Sequence, residues 1–142
     1  MKVDLPTLRS FFASAPFMVD LGVVPVEVSE GCVITELDLA PHHLQHTGQV
    51  HGGVIVSMAD HSMGAAAQTM AAEGLIVITA ELSTSLLRAA SGGRLFCEAR
   101  VLKPGRQISF TEATVFAERD GQRVLVAKAS ATMALTARHT FT

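Results

Sequence analysis

The feature that most constrains the fold is a long segment that is apolar and almost free of charge. Residues 52–72 (GGVIVSMADHSMGAAAQTMAA) contain no proline and, apart from Asp60, no acidic or strongly basic side chain. This composition predicts a helix of about five to six turns at 3.6 residues per turn, with Gly74 placed to terminate it. Because a helix that is apolar on nearly every side must be buried on nearly every side, the rest of the chain has to surround it.

The flanking segments predict one further helix and six strands. Residues 5–13 space large apolar side chains at helical intervals, and Pro16 and Gly22 close that helix. The predicted strands cover residues 22–29, 32–39, 75–87, 94–103, 107–118 and 123–137. A polar loop over residues 41–50 precedes the long helix. Since the strands are joined by short turns, the sheet is expected to be mainly antiparallel.

A curved sheet wrapped around one central helix satisfies both patterns, because the sheet supplies the burial that the helix demands. The expected fold is therefore α+β, in a single domain over residues 1–142 with a lead-in over 1–21 and a core over 22–137. Apolar residues make up 49% of the chain and charged residues only 17%. A small domain with this composition is expected to cover part of its surface with another copy of itself.

Charge and cysteine content narrow the classes of function. The net charge of -2 and the lack of a long basic run argue against nucleic acid as a partner. Cys32 and Cys97 are too few for a disulfide framework and are expected to be buried thiols in a reducing compartment. No uninterrupted apolar run has the length of a signal peptide or a membrane span. We therefore expect a cytoplasmic protein without a membrane partner.

Two glycines open the long helix. Gly52 and Gly53 leave backbone N–H groups uncrowded at a helix N-terminus, where the helix dipole favours an anion or a developing oxyanion. The alternative is that both glycines only allow close packing of the helix against the sheet. The spacing by itself does not decide between these interpretations.

Asp60 is the more informative residue, because no Lys or Arg lies within four residues on either side. A carboxylate buried without a partner would cost several kcal/mol or become protonated. One interpretation is that Asp60 faces a polar seam or solvent, or pairs with a distant cation such as Arg88. The other is that it acts as a base or nucleophile, since perturbed carboxylates concentrate at active sites.

The distance between these residues predicts an oligomer. Gly52 and Asp60 are eight residues apart on one helix, hence about 12 Å apart at ~1.5 Å per residue. Reacting atoms must approach to about 3–3.5 Å, so both residues cannot act on one carbonyl from the same helix. Two antiparallel copies of the helix would place Gly52 of one chain beside Asp60 of the other, twice. The sequence therefore predicts a two-fold dimer with two composite sites.

These residues carry a family resemblance. The run G-x-x-H-G-G over residues 48–53, followed by Asp60 and the strand VITAEL over 77–82, resembles the PaaI-like (phenylacetate-degradation type) hotdog-fold acyl-CoA thioesterases. The resemblance extends from about residue 22 to residue 137. It implies a hotdog fold and hydrolysis of acyl-CoA or aryl-CoA thioesters, with the Gly52 N–H polarising the carbonyl. Asp60 of the partner subunit would be the general base or the nucleophile.

The resemblance also implies roles for neighbouring residues. Thr79 would help to hold the water or the carboxylate, and His51 would position the glycine turn. Gln45 stands where many relatives have an asparagine near the thioester, so the amide is one methylene longer. No cofactor or metal is implied beyond the CoA of the substrate. The remaining predicted substrate-binding residues are Gly53 in the glycine turn, Met58, Ser62 and Met63 near the acyl group, and Arg88, Lys103 and Arg106 near the CoA phosphates.

Three alternatives stay open from sequence. Five of the six histidines lie between residues 42 and 61, but no cysteine joins them and their spacings fit no standard zinc pattern. A hotdog hydratase or dehydratase is a second alternative, although the Asp-x-Asn-Pro-x-His pattern is absent. A non-catalytic acyl-CoA sensor is the third, and it would not need Asp60. The sequence predicts neither the acyl group, aliphatic or aryl, nor whether the homodimer pairs into a homotetramer, a dimer of dimers.

Overall fold

A six-stranded antiparallel sheet wraps one long helix in the computed structural model, which describes residues 3–137. The strands follow the order β1-β2-β4-β5-β6-β3 across the sheet. Their bounds are β1 Val24–Ser29, β2 Cys32–Asp38, β3 Leu75–Leu86, β4 Arg94–Lys103, β5 Ile108–Arg119 and β6 Gln122–Ala137. The helices are α1 Leu5–Ala13, α2 Pro16–Leu21 and α3 Gly52–Gln68, with a 3₁₀ turn at Pro41–His43. The α+β class and the antiparallel sheet are as predicted.

The core lies between α3 and the concave face of the sheet. On α3, Met58, Ala59 and Met63 are fully buried against the strands. The opposite side of α3 is only half-buried, as at Val56 and Gly64, and α1 covers part of it. The prediction that α3 is buried on nearly every side is therefore wrong for the single chain, because one side has no sheet over it.

Two helix boundaries differ from the sequence predictions. Helix α3 ends at Gln68 rather than at residue 72, because the Thr69 hydroxyl donates to the Ala66 carbonyl and accepts from the Gly31 N–H. Gly74, with φ +87°, lies in the turn that leads into β3 and does not end the helix. Pro16 does not merely close α1 but begins α2, consistent with the preference of proline for the first helical turn.

Two further expectations bear on the cysteines and on membranes. Cys32 and Cys97 are both free, but only Cys97 is buried as predicted, whereas Cys32 is half-buried. Burial raises the pKa of the Cys97 thiol to about 12. Such a thiol is inert at neutral pH. Among residues 3–137, no helix is long and apolar enough to cross a membrane.

Candidate functional site

The N-terminus of α3 presents one free backbone donor. The His51 side chain caps the helix, and its Nδ1 accepts a hydrogen bond of 2.8 Å from the Gly53 N–H. The next N–H, that of Val54, donates to the His51 carbonyl at 3.0 Å. Within residues 3–137 the Gly52 N–H has no acceptor, as expected for the first residue of a helix. Gly52 is thus free to donate to a bound oxygen, whereas the predicted substrate contact through the Gly53 N–H is already occupied.

The glycines also pack closely. A Cβ on Gly52 would lie 3.0 Å from Leu86 Cδ1, and one on Gly53 would lie 3.0 Å from His51 Nδ1. The close-packing interpretation of this turn is therefore supported at Gly52. The open Gly52 N–H is compatible with an oxyanion donor, and that role stays a prediction.

A cavity of about 250 Å³ adjoins Gly52, and Gln45 and Arg88 both line it. We call these three residues the donor half-site. Arg88 Nη1 donates to the Leu125 carbonyl at 2.9 Å. Its guanidinium is therefore held near the start of β6 and is not paired with Asp60, so the suggested ion pair between them is wrong. The structure brings together the predicted oxyanion donor, the predicted amide and one predicted cation.

Asp60 and Thr79 form a second group, which we call the carboxylate half-site. The Thr79 hydroxyl donates to Asp60 Oδ1 at 2.7 Å and also contacts Met133 Sδ at 3.5 Å. Asp60 is half-buried, and no Lys or Arg in the part of the chain that the structure describes makes an ion pair with it. A carboxylate that is oriented by a hydroxyl but not neutralised keeps its capacity to accept a proton or attack a carbonyl.

The two half-sites lie at different points along strand β3. Gly52 is beside Leu86 near the end of this strand, and Asp60 is beside Thr79 closer to its start. The rise of α3 separates the two backbones by about 12 Å. Gly52 and Asp60 of a single chain therefore cannot both contact the same carbonyl group of a substrate.

The structure places the other predicted substrate-binding residues elsewhere. Met58, Ser62 and Met63 are fully buried on the side of α3 that faces the sheet, and the Ser62 hydroxyl is 2.8 Å from that of Thr35. Their prediction as pocket-lining residues is wrong, because the helix turns them into the core. Lys103 and Arg106 are exposed in and after the end of β4.

In the sequence, His61 stands out only as one of five clustered histidines. Among residues 3–137, no group of three or more His, Cys, Asp or Glu side chains could hold a metal ion. The His61 ring instead stacks on Phe11 with centroids 5.6 Å apart and meets the edge of Phe12 at 4.5 Å. Its Nε2 is buried and has no partner within the described residues. Burial lowers the pKa of His61, and the nearby charge of Asp60 only partly opposes this.

Folding stability is expected to fall below about pH 6.5 because of His61. Its pKa is lower in the folded chain than the ordinary value of 6.5, so the unfolded chain binds more protons as the pH drops. The contribution of neutral His61 to the free energy of unfolding is fully present above the pKa that His61 has in the unfolded chain. It decreases as the pH falls toward the lower pKa of the folded chain. Urea unfolding of His61→Gln between pH 5 and 8 should show a flatter pH dependence than the wild type. The same change at the exposed His46 serves as the control, and an unchanged slope for His61→Gln would contradict this account.

The fold is that of hotdog thioesterases. The chain belongs to the thioesterase superfamily, whose family model matches residues 47–124, more than half of the sequence. The proofreading thioesterase EntH of Klebsiella pneumoniae is 29% identical over 115 residues, which cover 80% of this chain and 84% of that protein. This chain is accordingly a thioester hydrolase.

Solved structures agree with this assignment. A thioesterase family protein from Silicibacter pomeroyi superposes with a TM-score of 0.89 at 31% identity, over 92% of this chain and 96% of that one. The PaaI protein of the phenylacetic acid degradation operon of E. coli superposes with a TM-score of 0.80 at 20% identity, over 89% of this chain and 88% of that one. The latter likeness concerns the fold.

Proposed function

We propose that the protein hydrolyses acyl-CoA or aryl-CoA thioesters in active sites shared between two copies of the chain. One observation carries the proposal: a free Gly52 N–H and a Thr79-bound Asp60 carboxylate lie on one helix, but too far apart to act on one carbonyl. Each is half of the machinery for thioester hydrolysis, namely an oxyanion donor and a base or nucleophile. A second copy would complete both halves.

Strand β3 supports this pairing. It is a 12-residue strand at one edge of the sheet, and residues Ile78–Glu81 are exposed along it. A long edge strand of this kind is a template for pairing with another chain. If two copies pair antiparallel about a point between Leu82 and Ser83, Leu86 of one copy lies opposite Thr79 of the other. This register sets each donor half-site against a carboxylate half-site.

The chemistry follows from this arrangement. The thioester carbonyl oxygen accepts a hydrogen bond from the Gly52 N–H, which stabilises the negative charge that develops on it. As a base, the partner's Asp60 takes a proton from water while the water oxygen attacks the carbonyl carbon. The C–S bond then breaks, and the proton returns to the departing CoA sulfur. As a nucleophile, the same carboxylate attacks directly and forms an anhydride that water cleaves.

Repeated turnover in ¹⁸O-labelled water tests the nucleophilic role of Asp60. Water that attacks the thioester delivers the label to the released acid, leaving the carboxylate unlabelled. A hydrolysed anhydride places label either in the acid or in Asp60, according to which carbonyl the water attacks. Label in Asp60 after repeated turnovers, detected by mass spectrometry of its peptide, therefore identifies the nucleophilic route.

The predicted cations would meet at the mouth of this composite site. Arg88 belongs to the donor half-site. Across the sheet, Lys103 of β4 pairs with Phe110 of β5, and Phe110 pairs with Thr132 of β6. Thr132 in turn pairs with Glu81 of β3, which is two residues from Thr79. The Lys103 end of the sheet is therefore on the side of the carboxylate half-site. In the paired register, Arg88 of one copy lies at the same end of the composite site as the partner's Lys103, which is three strands in from the paired edge. We propose that these two cations, with Arg106 in the turn after β4, bind the phosphates of one CoA.

Replacing Arg88 with alanine is expected to raise KM for acyl-CoA about fivefold with little change in kcat, since an exposed ion pair contributes up to ~1 kcal/mol. The effect should shrink at high salt, which screens exposed charges. The matching acyl-pantetheine, which lacks the nucleotide phosphates, is the control substrate. If KM for acyl-pantetheine rises equally, Arg88 does not bind phosphate.

The activity itself is tested with a panel of CoA thioesters of short, medium and long aliphatic chains and of aryl acids, with free thiol as the readout. We expect cleavage of at least one class by the wild-type protein. Absence of turnover across the panel would exclude the proposed substrate class.

A further inference from the structure

His43 lies at the base of the loop that leads into α3, and it is buried. Only 2% of its surface is exposed, whereas the neighbouring His42 and His46 are exposed. The ring of His42 lies over it, with the two centroids 4.0 Å apart. A buried imidazole needs a hydrogen-bond partner for each ring nitrogen, because an unpaired polar atom in the interior costs free energy. Both nitrogens of His43 have such a partner.

The two ring nitrogens of His43 have opposite roles. Nδ1 accepts a hydrogen bond of 2.9 Å from the Ala40 N–H, so it carries no proton. In the neutral ring the proton is therefore on Nε2, which donates to the Leu21 carbonyl at 2.6 Å. Leu21 is the last residue of α2, and its carbonyl is one of those that a helix leaves without an internal partner. The ring thus ties the loop before α3 to the end of α2.

The backbone of His43 closes a hairpin. Its carbonyl accepts a hydrogen bond of 2.9 Å from the His51 N–H, so the chain returns to its starting point. The second leg has its own attachment, since the Val50 N–H donates to the Ala90 carbonyl at 3.0 Å. We call residues 43–51 the anchored hairpin. Its first leg is attached to the body of the protein by the ring of His43.

The anchored hairpin carries two members of the donor half-site. Gln45 lies on it, and Gly52 follows its last residue. His51 connects them to the base, because its N–H donates to the His43 carbonyl and its ring accepts from the Gly53 N–H. Among the described residues this leaves the Gly52 N–H free. A displacement of His43 is therefore transmitted through His51 to the direction in which the Gly52 N–H points.

We propose that His43 is a positioning residue for thioester hydrolysis: its ring fixes the anchored hairpin to α2 and so holds the Gly52 N–H and the Gln45 amide in place before substrate binds. The inference rests on the proposed role of the donor half-site. His43 neither contacts the substrate nor transfers a proton, because both of its ring nitrogens are already bonded. An oxyanion donor is effective when it needs no rearrangement during the reaction, and a misplacement of ~1 Å can cost about 10²-fold in rate.

Two variants each keep one of the two ring hydrogen bonds. In His43→Gln the amide nitrogen takes the place of Nε2 and still donates to Leu21, whereas in His43→Asn the amide oxygen takes the place of Nδ1 and still accepts from Ala40. His43→Asn loses the attachment to α2, so kcat for acyl-CoA should fall about 10- to 10²-fold with KM changed less than about twofold. His43→Gln should keep kcat within about threefold of the wild type. Equal kcat values in the two variants overturn the proposal.

A control variant and a stability measurement exclude a merely structural effect. His46→Asn makes the same change at an exposed histidine of the anchored hairpin and should leave kcat unchanged. A fall in kcat equal to that of His43→Asn counts against the attachment to α2. A residue with only a structural role would lower the melting temperature and leave the kcat of the folded protein unaltered. That result for His43→Asn also overturns the proposal.

Measurements without substrate separate failure of this inference from failure of the proposed hydrolysis. In the wild type, ¹⁵N NMR should show an unprotonated Nδ1 and a protonated Nε2 at His43, and the reverse tautomer overturns the inference. Amide hydrogen exchange at His51 and Gly53 should be about tenfold faster in His43→Asn, in keeping with one lost buried hydrogen bond, while Val115 in the sheet is unchanged. Unaltered exchange at both amides refutes the inference even if thioesters are hydrolysed. Faster exchange in a protein that cleaves no CoA thioester supports the attachment by His43 and refutes the proposed hydrolysis.

Discussion

Replacing Asp60 with asparagine is expected to lower kcat for acyl-CoA hydrolysis by about 10³-fold, within the range of 10² to 10⁴ typical of a lost general base. The amide has nearly the shape of the carboxylate, and its oxygen can still accept the 2.7 Å hydrogen bond from Thr79. It can neither take a proton from water nor attack a thioester. Steady-state release of CoA thiol should show the fall in kcat with KM close to that of the wild type.

Two control variants make this result specific. Asp20→Asn removes an exposed carboxylate in α2 and should leave kcat unchanged. Thr79→Ser keeps the hydroxyl that orients Asp60, whereas Thr79→Val removes it and should lower kcat without abolishing it. Wild-type turnover in Asp60→Asn would refute the catalytic role of the carboxylate. Equal turnover of Thr79→Val and Thr79→Ser would show that the hydrogen bond by which Thr79 orients Asp60 does not matter for catalysis.

Mixing two inactive variants is expected to restore about one quarter of the wild-type activity if the sites are composite. One parent is Asp60→Asn, and the other is Gly52→Pro, which lacks the backbone N–H. Random exchange places half of the dimers in the mixed state. Each mixed dimer has one site with Gly52 and Asp60 both intact and one site with both replaced. Half of the dimers are mixed and each of them has one intact site of two. About 25% of all sites in the mixture are therefore active, which gives about 25% of the wild-type activity.

Gly52→Pro removes the donor with little other change. Position 52 is the first residue of α3, where proline is favoured because its missing N–H has no helical partner. His51 already has the extended backbone, ψ 134°, that a residue before proline adopts. The loss of one oxyanion donor is expected to lower kcat by about 10² to 10³. Gly52→Ala keeps the N–H and adds a Cβ near the flexible end of Leu86, so it controls for the added bulk.

The mixture is refolded together from denaturant so that subunits exchange, and its activity is compared with that of each parent refolded alone. If each chain contained a complete site, every site in the mixture would carry one defect. The activity would then remain at the mean of the two parents, and that outcome would refute the composite site. Mass measurement of the native assembly confirms that mixed dimers formed and reports whether dimers or larger assemblies carry the activity.

The sequence by itself determined the architecture and the separation of Gly52 from Asp60, the residues for which the catalytic roles are proposed. A segment of about twenty residues with one charge predicted a buried helix, and period-two alternation predicted the sheet around it. The spacing of Gly52 and Asp60 already separated them, because helical rise is a fixed property of the backbone. The glycine turn capped by His51 and the Asp60–Thr79 hydrogen bond agree with the resemblance drawn from the sequence.

Only the tertiary structure decided which side of α3 each residue occupies. Met58 and Met63 are as apolar as any pocket residue, and only the position of the sheet shows that they lie in the core. His61 meets Phe11 and Phe12 from a helix some fifty residues earlier in the chain. Periodicity records how side chains alternate within one element, whereas burial depends on long-range contacts that local spacing does not contain.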